Sequence, residues 1–138
     1  MGDHVELTPI GRVESRLVDP AEAPKQGDEG APDAWVVLDD GLLSALDGIE
    51  AGDELIVLTW LDRADRATLA VHPRGDCTRP PQGVFSTRSP DRPNPIGLHR
   101  VEVAELAGTR LRVRHLEAVD GTPVLDLKPV LSTNPEER

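Results

Sequence analysis

Short runs of alternating apolar and polar residues recur along the chain and predict β-strands separated by Pro- and Gly-rich turns. The most apolar run, residues 54–61, is expected to form a central strand. The other predicted strands are residues 5–14, 35–38, 67–72, 98–105, 109–116 and 124–130. Pro9 and Gly11 interrupt the first of these, which favours a bulge or an edge position for it.

One stretch has the pattern of a short helix. Asp39 or Asp40 is a suitable N-cap, Leu46 ends the apolar face, and Gly48 follows as a typical C-terminal residue. This helix would lie between two of the predicted strands.

Residues 98–105 and 109–116 predict a hairpin. A three-residue loop that ends in Gly108 suits a bulged turn, because glycine tolerates the left-handed conformation. This register would place apolar residues opposite one another. The predicted pairs are Val103–Leu111, Val101–Val113, His99–His115 and Glu102–Arg112.

These elements predict a mainly β fold, an antiparallel barrel or sandwich with one short helix and long loops. A chain of 138 residues is expected to form a single domain, residues 1–138. Aromatic residues are only 2% of the chain, so Leu, Val, Ile and Ala must fill the core. A lone Cys77, no apolar run long enough to cross a membrane and no signal peptide pattern predict a cytoplasmic protein that makes no membrane contact.

The net charge of −10 is unevenly distributed. Residues 1–61 carry 3 basic and 14 acidic residues, whereas residues 62–92 carry 6 basic and 4 acidic ones. Nucleic-acid affinity depends on neutralising phosphates, so a polyanion would have to meet the middle of the chain. The acidic excess of the first third is equally compatible with a role in solubility.

Residues 83–98 form the most unusual stretch. Pro90, Pro93 and Pro95 fix the backbone and exclude both a helix and a central strand there. The expected structure is a stiff loop that presents Arg, Asn, Ser and Thr side chains. It is either a plain connection or, because it is long and polar, a place to hold a charged ligand.

Several kinds of site are excluded or disfavoured. The chain has neither a phosphate-binding P-loop nor a G-x-G-x-x-G dinucleotide motif. Its four histidines lack zinc-site spacing, and only His99 and His115, as cross-strand neighbours, could form a metal pair. The simpler interpretation is that both are ordinary strand histidines, so no metal is predicted. Cys77 has no neighbouring base in the sequence, which disfavours a nucleophile.

Two long motifs resemble the TsaA-like (TrmO) family. They are residues 83–97 (GVFSTRSPDRPNPIG) and residues 120–129 (DGTPVLDLKP), and residues 9–11, 24–26 and 58–61 also fit the family pattern. The resemblance covers nearly the whole chain. It implies a β-barrel methyltransferase that uses S-adenosyl-L-methionine to modify the N6 nitrogen of threonylcarbamoyl-adenosine at position 37 of tRNA. It also implies a homodimer with the cofactor near the interface.

The resemblance assigns site residues in two groups. The implied cofactor-binding residues are Pro24, Lys25, Gln26, Arg88, Leu98, Leu116, Glu117, Ala118 and Val119. The residues implied at the reaction centre are Arg92, Asn94, Asp120 and Thr122. Where many relatives have Phe-His-Gln after the central strand, this chain has Leu-Asp-Arg at residues 61–63, so a contact there is expected to be lost or altered.

The residue chemistry agrees with such a cofactor. Arg88 or Lys25 can pair with its carboxylate, and Asp120 or Glu117 can face its sulfonium or its ribose. Asp120 is the candidate base, or else simply a turn-capping residue. Two alternatives remain open: a small-molecule methyl acceptor, which the acidic charge favours over tRNA, and a cofactor- or nucleotide-binding module without enzymatic activity.

Overall fold

The structure is a computed structural model that describes residues 4–17, 33–72 and 76–131. Within these ranges the chain forms strands and two 3₁₀ helices. The strands are β1 Gly11–Glu14, β2 Ala34–Leu38, β3 Glu54–Trp60, β4 Ala70–Val71, β5 Gln82–Gly83, β6 Ile96–Ala107, β7 Arg110–Arg114 and β8 Pro123–Pro129. The helices are Asp40–Leu46 and Val84–Ser86. The described residues include no helix with the length and apolar character needed to span a bilayer.

Six strands form a closed antiparallel barrel in the order β1-β2-β7-β6-β3-β8. The ring closes because β1 pairs with β8 as well as with β2. The predicted mainly β, antiparallel fold is therefore confirmed, but the edge position predicted for the first strand is wrong. Gly11 explains the difference, since a Cβ on it would lie 2.1 Å from the Val37 carbonyl oxygen. The glycine marks a close approach of strands rather than an end of the sheet.

Side chains alternate along each strand between the barrel interior and its outer surface. The interior is almost wholly aliphatic, as the composition predicts. Its most deeply buried members are Val13, Val36, Val57, Val101, Val103, Leu111, Val113, Leu116 and Val124. The outer surface carries cross-strand ion pairs, namely Glu54–Arg100, Glu14–Arg110, Glu105–Arg112 and Glu102–Arg114.

The two ends of the barrel differ. At one, which we call the helix end, β2 and β6 finish and are joined to the next strands by residues 39–53 and 108–109. At the other, the loop end, β1, β3 and β7 finish. They are followed by much longer connections, residues 15–33, 61–95 and 115–122.

The predicted helix is present at the helix end as a 3₁₀ helix, Asp40–Leu46. Leu46 is only 8% exposed and closes this end of the core. The predicted side-chain cap is wrong, because Asp39 makes no capping hydrogen bond with its carboxylate. Its backbone N–H instead donates to the Ile10 carbonyl oxygen at 2.9 Å, so the helix start is held by the chain that enters β1.

The β6–β7 hairpin exists, but its predicted register is wrong. The turn is the two-residue pair at 108–109, with Gly108 at φ +63°. A register shift between Val103 and Glu105 then returns apolar residues to the interior. The observed pairs are Ala107–Arg110, Leu106–Leu111, Glu105–Arg112, Val103–Val113 and Glu102–Arg114. Apolar alternation alone did not separate a longer loop from a short loop with a bulge.

The predicted His99–His115 pair is also wrong. His99 lies opposite Val57 on β3 and is buried, whereas His115 follows the end of β7, is exposed and has φ +73°. The strand predicted at residues 67–72 is reduced to β4, which pairs with β5 outside the barrel. The stretch predicted to exclude a helix contains the short 3₁₀ helix Val84–Ser86, which ends before the first of its prolines.

Candidate functional site

The predicted site residues fall at the loop end of the barrel. Arg88, Arg92 and Asn94 lie in the 61–95 connection, and Leu98 lies near the start of β6. The remaining described ones, Leu116, Glu117, Ala118, Val119, Asp120 and Thr122, lie in the 115–122 connection. Pro24, Lys25 and Gln26 lie outside the described residues. The antiparallel topology thus brings the 83–97 motif and the start of the 120–129 motif to one end, while β8 carries the rest of the second motif across the barrel.

The first part of the 115–122 connection packs against the core. Leu116, Ala118 and Val119 are buried, and the first two belong to the main apolar cluster. The side chains of Leu116 and Ala118 are part of the core, which leaves the main chain of the segment as the part that a ligand at this end could meet.

The second part is a turn tied to the chain that follows β1. The Asp120 carboxylate accepts the Ser15 N–H at 3.0 Å, and the Asp120 N–H donates to the Leu17 carbonyl oxygen at 2.5 Å. Gly121, at φ +84°, supplies the left-handed residue of this turn. Among the described residues, the second carboxylate oxygen of Asp120 has no donor. Asp120 is therefore a turn-holding residue.

Thr122 is committed to the turn. It is buried, and its hydroxyl donates to the Val119 carbonyl oxygen at 2.7 Å. This hydrogen bond fixes the main chain between the two residues. A structural role accounts for the Thr122 hydroxyl without any contact with substrate.

Arg92 holds the 61–95 connection together from within. Its guanidinium donates to the carbonyl oxygens of Val84 at 2.7 Å, Ser89 at 3.0 Å and Thr87 at 3.1 Å. A guanidinium has five N–H donors in a planar fork, which suits it to gathering several carbonyl groups. The Pro-rich loop is thus stiffened by Arg92 as well as by its prolines.

Asn94 is held by the charged turn after β3. Its amide oxygen accepts from the Arg66 guanidinium at 3.0 Å, and Arg66 also donates to the Pro93 carbonyl oxygen at 2.7 Å. The same guanidinium lies over the ring of Trp60, 5.1 Å from its centroid. Through Arg66, this turn supports the Pro-rich loop, and it directly follows residues 61–63, for which the sequence predicts an altered contact.

Arg88 and Leu98 are exposed, as are Asn94 and Asp120. Arg88 makes no hydrogen bond or ion pair within the described ranges, so its charge is available to an anionic ligand. Leu98 is 47% exposed on the outer surface of β6, opposite Leu58 of β3. With Ile96 and Trp60 it forms an apolar strip, Leu58, Trp60, Ile96 and Leu98, at the loop end.

A buried polar chain at this end was missed by sequence reasoning. The Thr59 hydroxyl lies 2.7 Å from His99 Nε2, and His99 Nδ1 lies 2.5 Å from a Glu117 carboxylate oxygen. The signal was present, because alternation from Val101 and Val103 places His99 on the inner face of β6. The predicted hairpin register instead paired His99 with His115, which lies outside β7. Within the described residues, no three His, Cys, Asp or Glu side chains are grouped so as to hold a metal ion.

The comparison with protein families decides the relationship. Residues 12–134 match the tRNA-methyltransferase O N-terminal domain family. The chain belongs to this family. The resemblance predicted from the two motifs is therefore confirmed.

Curated relatives of similar length support the same grouping. A protein of Methanothermobacter thermautotrophicus described as a probable S-adenosyl-L-methionine-binding protein is 44% identical over 125 residues, which are 91% of this chain and 89% of the relative. An Archaeoglobus fulgidus protein described as an S-adenosyl-L-methionine-binding protein is 44% identical over 122 residues, or 88% of this chain and 86% of the relative. Both descriptions agree with the predicted cofactor.

Solved structures agree on the fold. The crystal structure of TrmO from Pseudomonas aeruginosa superposes with a TM-score of 0.74 at 27% sequence identity. The match covers 94% of this chain but only 57% of the TrmO chain. The chain therefore spans little more than half of that protein.

Proposed function

We propose that this domain binds S-adenosyl-L-methionine at the loop end of the barrel and transfers its methyl group to the N6 nitrogen of threonylcarbamoyl-adenosine at position 37 of tRNA. The observation that carries the proposal is the meeting of the first family motif, residues 83–97, and the start of the second, residues 120–122, at the loop end of a domain of this family. The relatives described as S-adenosyl-L-methionine-binding proteins support the cofactor assignment.

The residues at the loop end fit the chemistry of this cofactor. Arg88, which has no partner among the described residues, offers a cation for its carboxylate. The Asp120 oxygen that has no donor within the same ranges can accept a ribose hydroxyl or face the sulfonium. The main chain of residues 116–119 offers peptide groups to the adenine edge, and Leu98 offers an apolar surface to its face. When bound, the cofactor supplies an electrophilic methyl group attached to a positively charged sulfur.

Positioning is the main catalytic contribution expected of these residues, since methyl transfer is an in-line displacement. Arg92 and Arg66 fix the Pro-rich loop, and the Asp120 turn fixes the opposite wall. Asp120 is also the candidate acceptor of the proton that the attacking nitrogen loses. Asn94 accepts from Arg66 through its amide oxygen, and its NH₂ makes no hydrogen bond to the described residues, so the NH₂ can orient the acceptor.

The surface beside this site favours an RNA acceptor over a small molecule. Residues 62–92 are the basic part of an otherwise acidic chain, and Phe85 is 82% exposed within them. Arginines bind phosphates and exposed aromatic rings stack on bases, so this combination suits a single-stranded loop. The net charge of −10 is the observation that keeps a small-molecule acceptor as the second candidate.

A homodimer completes the proposal. The apolar strip at the loop end leaves Ile96 and Leu98 substantially exposed next to the site. Burial of such a strip against a second copy would remove apolar surface from water. Sedimentation of the protein is expected to show a dimer, and a monomer at all concentrations would contradict this part.

Two experiments test the function. Titration with S-adenosyl-L-methionine by calorimetry should show binding that is weakened at least about tenfold in Arg88→Ala, the loss of a charge-assisted hydrogen bond. The matched control is Arg100→Ala, an exposed arginine whose partner Glu54 lies at the helix end. No binding by the native protein would refute the cofactor assignment.

Mass spectrometry then identifies the acceptor. Purified tRNA that carries the threonylcarbamoyl group should gain one methyl group, and otherwise identical tRNA without this group should not. Asn94→Ala should slow the transfer while cofactor affinity stays near the native value. Methylation of neither tRNA by a cofactor-binding protein would favour the small-molecule acceptor.

A further inference from the structure

The buried polar chain joins three elements that are separate in sequence. Thr59 lies on β3, His99 on β6, and Glu117 in the connection between β7 and β8. The side chains of Thr59 and His99 are 0% and 5% exposed, and that of Glu117 is 16% exposed. The carboxylate thus lies at the surface end of the chain and the hydroxyl at its inner end.

Proton positions follow from the carboxylate. An ionised carboxylate can only accept, so His99 Nδ1 carries the hydrogen and donates to Glu117. In the neutral ring Nε2 is then an acceptor, and the Thr59 hydroxyl donates to it. Every polar atom of the imidazole is therefore satisfied, in keeping with the described residues as a whole, where no buried side-chain N or O atom lacks a partner.

Gly97 provides the space for this arrangement. It lies opposite Thr59 and one inward position before His99. A Cβ at Gly97 would lie 2.3 Å from the Thr59 hydroxyl oxygen and 2.6 Å from His99 Nε2. Residue 97 of β6 has no side chain, and this leaves room for the two polar side chains to meet.

The backbone pairing between β6 and β7 does not extend as far as His99. Its last pair is Glu102–Arg114, so no strand pairing with β7 holds the chain that follows Arg114 against the first part of β6. The His99–Glu117 hydrogen bond links them beyond that point. A hydrogen bond to a charged carboxylate in a mostly dry place is strong, and removal of the carboxylate leaves His99 Nδ1 buried and unpaired.

We infer that His99, anchored by Thr59, is a positioning residue that fixes the main chain of residues 116–119 for the cofactor, with Glu117 as its tether rather than a direct ligand. The inference rests on the proposed function for the identity of the ligand. Thr59 and His99 are too buried to touch a ligand themselves, so they can act only through Glu117. The Glu117 carboxylate would then face His99 rather than the sulfonium or the ribose of the cofactor.

Amide hydrogen exchange of the ligand-free protein tests the tether. Glu117→Ala should speed exchange in residues 116–122 by about ten- to a hundredfold, the effect of losing a hydrogen bond to a charged group. Glu117→Gln should exchange at close to the native rate, because its amide oxygen still accepts from His99 Nδ1. Thr59→Val, which keeps the side-chain volume, should give a smaller increase in the same segment.

Val101→Ala is the matched control. It removes buried methyl groups from the next inward position of β6 without touching a polar atom. Its exchange should rise throughout the barrel rather than in residues 116–122 alone. Unchanged exchange of this segment in Glu117→Ala, or a rise no larger than elsewhere in the barrel, would overturn the inference.

Calorimetry with S-adenosyl-L-methionine tells whether Glu117 acts as a tether of the segment or contacts the cofactor directly. Glu117→Gln should bind with near-native affinity, and Glu117→Ala should bind about tenfold more weakly or worse. Lost binding in Glu117→Gln with native exchange would show a direct contact of the charged carboxylate and would overturn the inference. No binding by the native protein would refute the proposed function instead, while the exchange comparison, which uses no ligand, would still decide the tether.

Discussion

The helix end and the loop end of this barrel are closed by different chemistry. Aliphatic side chains fill the helix end, where Leu46 of the 3₁₀ helix and Leu55 of β3 both belong to the core. The buried polar side chains among the described residues, Thr59, His99 and Thr122, all lie at the loop end. Each of them has a hydrogen-bond partner.

This difference suggests that the helix end contributes mainly to stability and the loop end mainly to a defined geometry. Aliphatic contacts are non-directional and tolerate small shifts, whereas hydrogen bonds hold groups at defined distances and angles. A domain can therefore draw its stability from one end and keep its other end in a fixed geometry for a ligand. The two glycines that permit close approach, Gly11 and Gly97, stand at the helix end and the loop end respectively.

The largest effect is expected at Gly11. Gly11→Ala would place a methyl group against the Val37 carbonyl oxygen and the Leu38 backbone, which cannot rotate away. The free energy of unfolding should fall by about 3 kcal/mol or more, the upper range for overpacking. Urea denaturation measures it. A loss below about 1 kcal/mol would mean that β1 and β2 can separate without opening the barrel.

The next effect concerns the aliphatic closure. Leu46→Ala should lower the free energy of unfolding by about 2–3 kcal/mol, because it removes a buried side chain and leaves a cavity. Cofactor affinity should stay unchanged, since the loop end is not touched. Leu43→Ala is the control, because Leu43 on the same helix is 56% exposed and should cost less than about 0.5 kcal/mol. Weakened binding in Leu46→Ala would show that the two ends are coupled.

Gly97→Ala should have a smaller effect on stability and a larger effect on cofactor affinity than Leu46→Ala. Its new methyl group meets side chains, which can move, so the loss of stability should be about 1–2 kcal/mol. Displacement of Thr59 and His99 should nevertheless weaken cofactor binding. Gly83→Ala is a matched control beside the Pro-rich loop, because a Cβ there has no atom within 4 Å. Equal affinities in the two variants would remove the claimed specificity of the loop end.

The smallest effect is a pH dependence at the helix end. A hydrogen bond from Arg100, and then its charge, lower the pKa of Glu54 below its ordinary value of 4.5. A carboxyl whose pKa is lower in the folded state stabilises the protein above its unfolded pKa, and this contribution is lost as the pH falls through the folded value. The native protein should therefore lose slightly more stability than Glu54→Gln on acidification. Both side chains are exposed, so identical acid profiles would mean that solvent cancels the pair.

Elements could be predicted from the sequence where the residue pattern was compatible with only one backbone conformation. The apolar run that became β3 and the Asp120-Gly121 turn are such cases, because a long apolar run and an Asp-Gly pair each restrict the backbone strongly. The hairpin register could not be fixed, since a bulge near Ala104 changes the pairing without changing the alternation on either side. Because of that single shift, the sequence also predicted the wrong neighbour for His99.

The location of the site could be predicted from the sequence, but the role of each residue in it could not. The motifs indicated Arg92, Asn94 and Thr122, yet the structure uses the Arg92 guanidinium and the Thr122 hydroxyl to hold main-chain carbonyls. Sequence alone does not tell whether an arginine in a polar loop faces its own backbone or a ligand. The answer depends on loop curvature, which is set by contacts such as that between Arg66 and Pro93.

The placement of the two tryptophans makes the domain its own optical reporter. The chain has no tyrosine, so its emission comes from Trp35 and Trp60 alone. Each ring lies under an arginine, Arg110 and Arg66 respectively, and the second arginine also holds the Pro-rich loop. A Trp35→Phe protein would therefore carry a single fluorophore beside that loop, and its spectrum would follow events at one end of the barrel without any added label.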